Sequence, residues 1–219
     1  MTLYRLDASI RTEGSVSRAV ADTVQAGWRA QHPDAPITRR DLGLDPLPAD
    51  TWSTIIGAMM NPAAEPSPAV AGATELAASL ADEMVAADAF LFAIPLYNYG
   101  VPASVKTWAD TLITTPAFAP GGPSAIAGRP GILVTVRGGG YAPGTPREGW
   151  DHNTPYLRRL LVDMWGLDLE IVEAELTLAE VTPAMAELRG LAAESLANAH
   201  STAALSGKAL AERLAASAA

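Results

Sequence analysis

The chain has 219 residues, 49 % of them apolar, and a formal net charge of −9. That suits one α/β domain with a sizeable core, and the acidic balance argues against nucleic acid, because phosphate binding draws on a basic surface. Cysteine is absent, which excludes disulfides, thiolate nucleophiles and sulfur-ligated metals. His32, His152 and His200 stand apart without metal-ligand spacing, so no metal is expected. No apolar run approaches the ~20 residues of a membrane span, and "TLYRLDAS" after Met1 lacks the basic start and apolar centre of a signal peptide. A cytoplasmic protein is expected.

The first predicted strand is "TLYRLDA" (2–8), followed by the loop "SIRTEGSVS" and a helix over 17–32, where Ala19, Val20, Thr23, Val24 and Trp28 share one stripe. "PITRRDL" (36–42) is a half-polar strand and belongs at a sheet edge. "GLDPLPADTWSTIIGAMMNPAAEPSP" (43–68) interrupts with prolines, yet Trp52, Ile55, Ile56, Met59 and Met60 point to a packed excursion or a contact surface. Helical periodicity returns over 68–88. The apolar runs "AFLFAIP" (89–95) and "GILVTV" (131–136) read as central strands covered on both faces, separated by a helix over 103–113. A helix over 153–166 ends at Gly166, a fifth strand spans 169–176, and a long helical run starts at Pro183.

Strand and helix alternate five times over one domain, 1–219, which implies a parallel sheet with helices on both faces. Five strands point to the flavodoxin-like order 2-1-3-4-5. In such a sheet ligands bind outside the carboxyl ends of the strands, where three loops are unusual. The first carries Ser9, Thr12, Gly14, Ser15 and Ser17 at a helix start, donors suited to a monoester phosphate. Capping by Ser15 or Ser17 would also account for that loop alone. No GxGxxG or lysine-bearing phosphate loop is present, so neither a dinucleotide pyrophosphate nor a nucleoside triphosphate is indicated. The loop after strand three sets Tyr97 and Tyr99 around Asn98 between Pro95 and Pro102, able to edge and stack a flat heterocycle. The loop after strand four, "RGGGYAPGT" (137–145), has three glycines through which backbone amides could approach a ligand closely. A phosphate at one end and a planar ring at the other describe FMN.

On these residues the sequence resembles the FMN-dependent NADH-azoreductases and quinone reductases of the flavodoxin-like superfamily, over nearly the whole chain. Ser9, Ser15 and Ser17 match the family's phosphate loop. Pro95, Leu96, Tyr97, Asn98, Tyr99, Lys106 and Asp110 follow its ring loop, with Val105 in place of leucine. Arg137, Gly138 and Gly139 match its fourth-strand loop, in which Val136 replaces a serine. Phe118 with Gly122 and Gly128 resembles its phenylalanine-containing loop before strand four. The expected cofactor contacts are therefore Ser9, Ser15, Val16, Ser17, Pro95, Leu96, Tyr97, Asn98, Tyr99, Val136, Arg137, Gly138, Gly139 and Gly140. Phe118 and Tyr141 are expected in the substrate pocket.

The resemblance implies a ping-pong cycle in which NADH or NADPH reduces bound FMN and a quinone or azo compound is then reduced in its place. It also implies a homodimer with the flavin near the interface, to which the 52–60 stretch and Trp165 would contribute surface. Tyr141 and His152 are the candidates for a general acid, both read as structural or ring-covering in the first place. Two other readings share these motifs: a flavodoxin-type electron carrier, which the acidic charge suits, and a tailoring quinone or flavin reductase of a biosynthetic pathway.

Overall fold

The structure, a computed structural model, describes residues 1–63, 65 and 67–217. Its five parallel strands are β1 (Leu3–Asp7), β2 (Ile37–Asp41), β3 (Ala89–Pro95), β4 (Pro130–Val136) and β5 (Asp168–Ala174), in the order β2-β1-β3-β4-β5. This is the expected order, with half-polar β2 at the edge. The helices are α1 (Val16–Gln31), α2 (Thr51–Met60), α3 (Pro68–Val85), α4 (Ala103–Ile113), α5 (Asn153–Arg158) and α6 (Arg189–Ser217).

The period-two alternation of strand side chains builds two separate cores. On one face Tyr4, Leu6, Phe90, Phe92 and Leu133 pack against Leu80, Met84, Trp108, Leu157 and Trp165 from α3, α4 and the α5 segment. On the other, Leu3, Leu91, Ile132, Val134 and Val172 meet Val20, Val24 and Trp28 of α1 and Ala199, Ala203 and Leu210 of α6. Helix α6 approaches α1 closely because both carry glycine at the crossing. A Cβ on Gly207 would stand 2.2 Å from the Val24 carbonyl oxygen, and one on Gly27 would stand 3.0 Å from that of Ala204.

Several expectations are modified. The excursion at 43–68, of which residues 64 and 66 lie outside the described set, contains α2. Ile55 is buried there, whereas Trp52, Met59 and Met60 are 44 %, 64 % and 81 % exposed, so α2 packs along one stripe only. Trp165 offers no surface: it is 1 % exposed, edge-on to Trp108 and Phe118 in the core. The helix expected over 153–166 begins as α5 and widens into a π-helical turn at Arg159–Met164. Gly166 ends it with a φ of +72°, the left-handed conformation that disfavours any side chain. Strand β5 stops at Ala174, and Leu176 adopts a φ of +61° just beyond it. Among the described residues no helix is long and apolar enough to cross a membrane.

Candidate active site

The loops after β1, β3, β4 and β5 converge at the carboxyl edge of the sheet. Ser15 ends the β1 loop and caps α1, its hydroxyl accepting from the Arg18 N–H at 3.5 Å. Its oxygen also lies 3.3 Å from the Ser17 hydroxyl, and the first-turn N–H groups of Val16 and Ser17 have no acceptor within the helix. Capping and anion binding therefore share the same residues. Ser9 accepts from the Arg11 N–H at 3.3 Å, and its hydroxyl lies 3.3 Å from that of Tyr97.

The rigidity of this loop comes from beneath. Asp7, fully buried at the end of β1, receives both Nε and Nη2 of the buried Arg5, at 3.0 and 3.1 Å, and the Arg39 Nε at 2.8 Å. Arg5 Nη1 continues to Asp22 and Gln25 on α1 at 2.6 and 3.0 Å. Arg18 spans from α1 to Asp41 at the end of β2, and its Nη2 donates to the Ser9 carbonyl at 2.7 Å. Burial would raise the Asp41 carboxyl, but the Arg18 guanidinium bonded to it holds it below its usual value.

The β3 loop is a two-residue reversal. Tyr97 and Gly100 exchange N–H···O bonds of 3.0 Å in both directions. Asn98 and Tyr99 between them have φ of +48° and +68°, the signature of a type I′ turn. Asparagine tolerates this conformation; a tyrosine in it stores strain of about 1–3 kcal/mol. The surroundings hold Tyr99 there: its carbonyl accepts from the His152 N–H at 2.9 Å, and its ring meets Trp150 at 5.4 Å, nearly perpendicular. The β4 loop is thereby tied to the β3 turn.

Two adjoining cavities result. One of about 150 Å³ is lined by Ser9, Ser15, Val16, Ser17, Pro95, Leu96, Tyr97, Val136 and Gly138, with Arg11, Thr177 and Leu178. A second of about 470 Å³ is lined by Leu96, Tyr97, Asn98, Tyr99, Gly138, Gly139 and Tyr141, with Ile10, Arg147 and Leu178. Leu96, Tyr97, Gly138 and Leu178 border both, so the hydroxyl-rich and aromatic cavities lie side by side along these residues. Burial, partly opposed by Arg147, raises the Tyr141 phenol above its ordinary value, so it stays protonated at neutral pH and is able to donate a hydrogen bond.

Other expected site residues lie elsewhere. Phe118 is 2 % exposed and packs against Trp165 at 5.0 Å, inside the core and away from both cavities. Arg137 borders neither cavity. Its guanidinium is bound by Asp151 at 2.8 Å, Glu173 at 2.6 Å and Glu175 at 2.9 Å, and it clamps β4 to β5 and to the start of α5. Asp151 in turn accepts from the Asn153 and Thr154 N–H groups at 2.8 and 2.9 Å. His152 opens on a separate groove beside Asn98, Lys106 and Tyr156, and Gly140 packs against Thr145. The glycines also need a different account. A Cβ on Gly138 would fall 2.6 Å from Leu178 Cδ1, and one on Gly139 would fall 2.4 Å from Arg147 Nη1. Their missing side chains make room for the chain's own residues as well as for a ligand. Arg11 lies within the β1 loop, and nothing in its local sequence marks it as lining the smaller cavity. Thr177 and Leu178 follow the left-handed turn at Leu176, which a strand expected over 169–176 runs straight through, so only the turn brings them to the site.

A model of the flavodoxin-like fold family matches residues 1–197. An FMN-dependent NADH:quinone oxidoreductase of Streptomyces avermitilis is 41 % identical over 216 residues, covering 98 % of this chain and 99 % of that protein. Its counterpart in Frankia casuarinae is 40 % identical over 205 residues, 93 % and 97 % of the two chains. The chain belongs to this family of flavodoxin-like oxidoreductases. Membership decides for an enzyme over a flavodoxin-type electron carrier. In fold the chain also resembles an azoreductase of Bacillus anthracis, with a TM-score of 0.76 at 22 % identity over 95 % of this chain and 99 % of that one. An FMN-dependent NADH-azoreductase of the same species, solved in complex with FMN, gives a TM-score of 0.76 at 20 % identity over 96 % and 99 %.

Proposed function

We propose that this chain, acting as one domain over 1–219, binds FMN and catalyses a ping-pong reduction of quinones or azo compounds by NADH or NADPH. The observation that carries it is the adjacency of the two cavities. A hydroxyl-rich pocket at a helix N-terminus adjoins an aromatic-lined pocket, an arrangement suited to a molecule with a phosphate at one end and a flat ring at the other. Ser9, Ser15, Ser17 and the first-turn amides of α1 would hold the phosphate, with Arg11 adding positive charge at the rim. Leu96, the turn at Tyr97–Tyr99 and the Gly138–Gly139 backbone would hold the ring, while Pro95 and Val136 line the smaller cavity beside the serines.

FMN, when bound, supplies the redox chemistry, accepting hydride from the nicotinamide and passing electrons to the acceptor. The chain supplies position. The rigid turn fixes Asn98, the tie between Tyr99 and Trp150 keeps the β4 loop over the cavity, and Tyr141 presents a protonated hydroxyl to it. With donor and acceptor using one cavity in turn, no separate dinucleotide fold is required.

The proposal includes a homodimer in the cytoplasm. Trp52, Met59 and Met60, exposed on α2, offer the apolar surface that a second copy would cover. Light scattering that returned the monomer mass at micromolar concentration would contradict it. For the function itself, flavin released by heat from the purified protein should run as FMN on chromatography. A protein that neither carries flavin nor gains thermal stability from added FMN would overturn the assignment.

A further inference from the structure

The ring cavity carries one formally charged side chain. Arg147, from the proline-rich part of the β4 loop, lines it together with Tyr97, Asn98, Tyr99, Gly139 and Tyr141. Its Nη1 lies against Gly139, where a Cβ would stand only 2.4 Å away, so the absence of a side chain at 139 is what admits the guanidinium. Nearby carboxylates are engaged elsewhere. Glu148 accepts from the Gly144 N–H at 2.8 Å, and Asp151, Glu173 and Glu175 are gathered on Arg137. Among the described residues, no hydrogen bond or ion pair is formed by the Arg147 guanidinium. An exposed arginine without a partner is ordinary on a surface; one seated on the backbone of a ligand cavity in a chain of net charge −9 is placed where anions would otherwise be repelled.

We propose that Arg147 is the anion receptor of the ring cavity, engaging a carboxylate, sulfonate or phosphate group of the molecule that enters to react. The planar guanidinium offers paired donors that match such groups in a way an ammonium does not. The anion has two possible sources, the phosphates of the nicotinamide donor or an acidic substituent on the acceptor. The inference rests on the proposed function, since it takes the cavity to be where donor and acceptor meet the ring.

The test uses FMN-loaded protein and pairs of ligands that differ chiefly in charge. The donor pair is reduced nicotinamide mononucleotide and reduced nicotinamide riboside, which differ by one phosphate. The acceptor pair is 1,4-naphthoquinone-2-sulfonate and menadione, and binding without turnover is read by calorimetry with 2-naphthalenesulfonate and 2-naphthalenesulfonamide. In Arg147→Gln the charged-to-neutral ratio of kcat/KM should fall at least tenfold in the donor arm, the acceptor arm or both, and the arm affected identifies the source. Naphthalenesulfonate binding should weaken by a similar factor relative to the sulfonamide. Arg147→Lys should recover part of the ratio, and the wild-type ratio should shrink as salt rises, because exposed charges are screened. Ratios unchanged in both arms, or equal losses for charged and neutral ligands, would overturn the role of Arg147. Failure of the wild type to turn over NADH with menadione would instead overturn the proposed function.

Discussion

Arg18 Nη2 donates to the carbonyl oxygen of Ser9 at 2.7 Å while the same guanidinium grips Asp41. The loop that presents the serines is thus fastened from behind to the end of the edge strand. Gly43 completes the seat, since a Cβ there would lie 2.0 Å from the Ser9 oxygen. Replacing Arg18 by methionine removes charge-assisted bonds worth roughly 1.5–3 kcal/mol each. Urea unfolding should report a loss on that scale, and FMN titration an affinity at least tenfold weaker. An unchanged affinity would show that the loop holds its shape without Arg18.

The serines themselves separate the two ends of the site. Changing both Ser15 and Ser17 to alanine removes hydroxyl donors to a dianion, so FMN affinity should fall at least tenfold. Riboflavin, which has no phosphate, should lose much less, namely whatever follows from the lost cap on α1, about 1 kcal/mol of stability. Equal weakening of both flavins in fluorescence titrations would place the phosphate elsewhere.

Much of this architecture was legible in the chain. Alternating apolar runs separated by helical stripes imply a parallel sheet, its five strands point to the order observed, and the polar Thr38, Arg39 and Arg40 put β2 at the edge, because a central strand would have to bury them. The serine loop and the Tyr97–Tyr99 stretch were legible from residue type alone. What escaped was long-range. Nothing local distinguishes an arginine that touches a ligand from one that clamps strands: resemblance places Arg137 at the cofactor, while its guanidinium is held by three carboxylates. Phe118 was placed in the substrate pocket by resemblance, whereas its partner is Trp165, which lies 47 positions further on. Strand five was read through Leu176 because its apolar pattern continues, while only the backbone shows the left-handed turn there.

The helix crossing offers a stability test remote from the site. Gly207→Ala sets a methyl group against the backbone of α1, which helical backbone cannot yield cheaply, and overpacking of this kind costs about 1–3 kcal/mol. The denaturation midpoint should drop while the variant, once folded, keeps its flavin affinity. Gly57→Ala, where a Cβ would meet nothing within 4 Å, serves as the control and should be neutral or slightly stabilising.

Acid should weaken the fold through identifiable carboxylates. For Asp151, burial alone would raise the pKa, but the Thr154 N–H and hydroxyl and the Arg137 charge outweigh it, and Asp41 is lowered in the same way by Arg18. Both carboxyls therefore bind protons less readily in the folded chain than in the unfolded one. Their contribution is present above the unfolded value of about 3.9, and it is lost as pH falls through the depressed folded values. Urea midpoints measured stepwise from pH 6 downward should decline most steeply below about pH 4. Asp41→Asn should start lower at neutral pH and decline less steeply. A variant with the wild-type slope would show that Asp41 carries none of the effect.

The most direct measurement is an anaerobic two-step titration of the purified protein followed by its visible spectrum. NADH added alone should bleach the flavin absorbance stoichiometrically, and menadione added after the NADH is consumed should restore it without further donor. That sequence requires a bound flavin that takes electrons from the donor and passes them to the acceptor in separate half-reactions, as a ping-pong cycle does. A flavin that stays oxidised in NADH, or that is reduced but is not reoxidised by a quinone, would contradict the account.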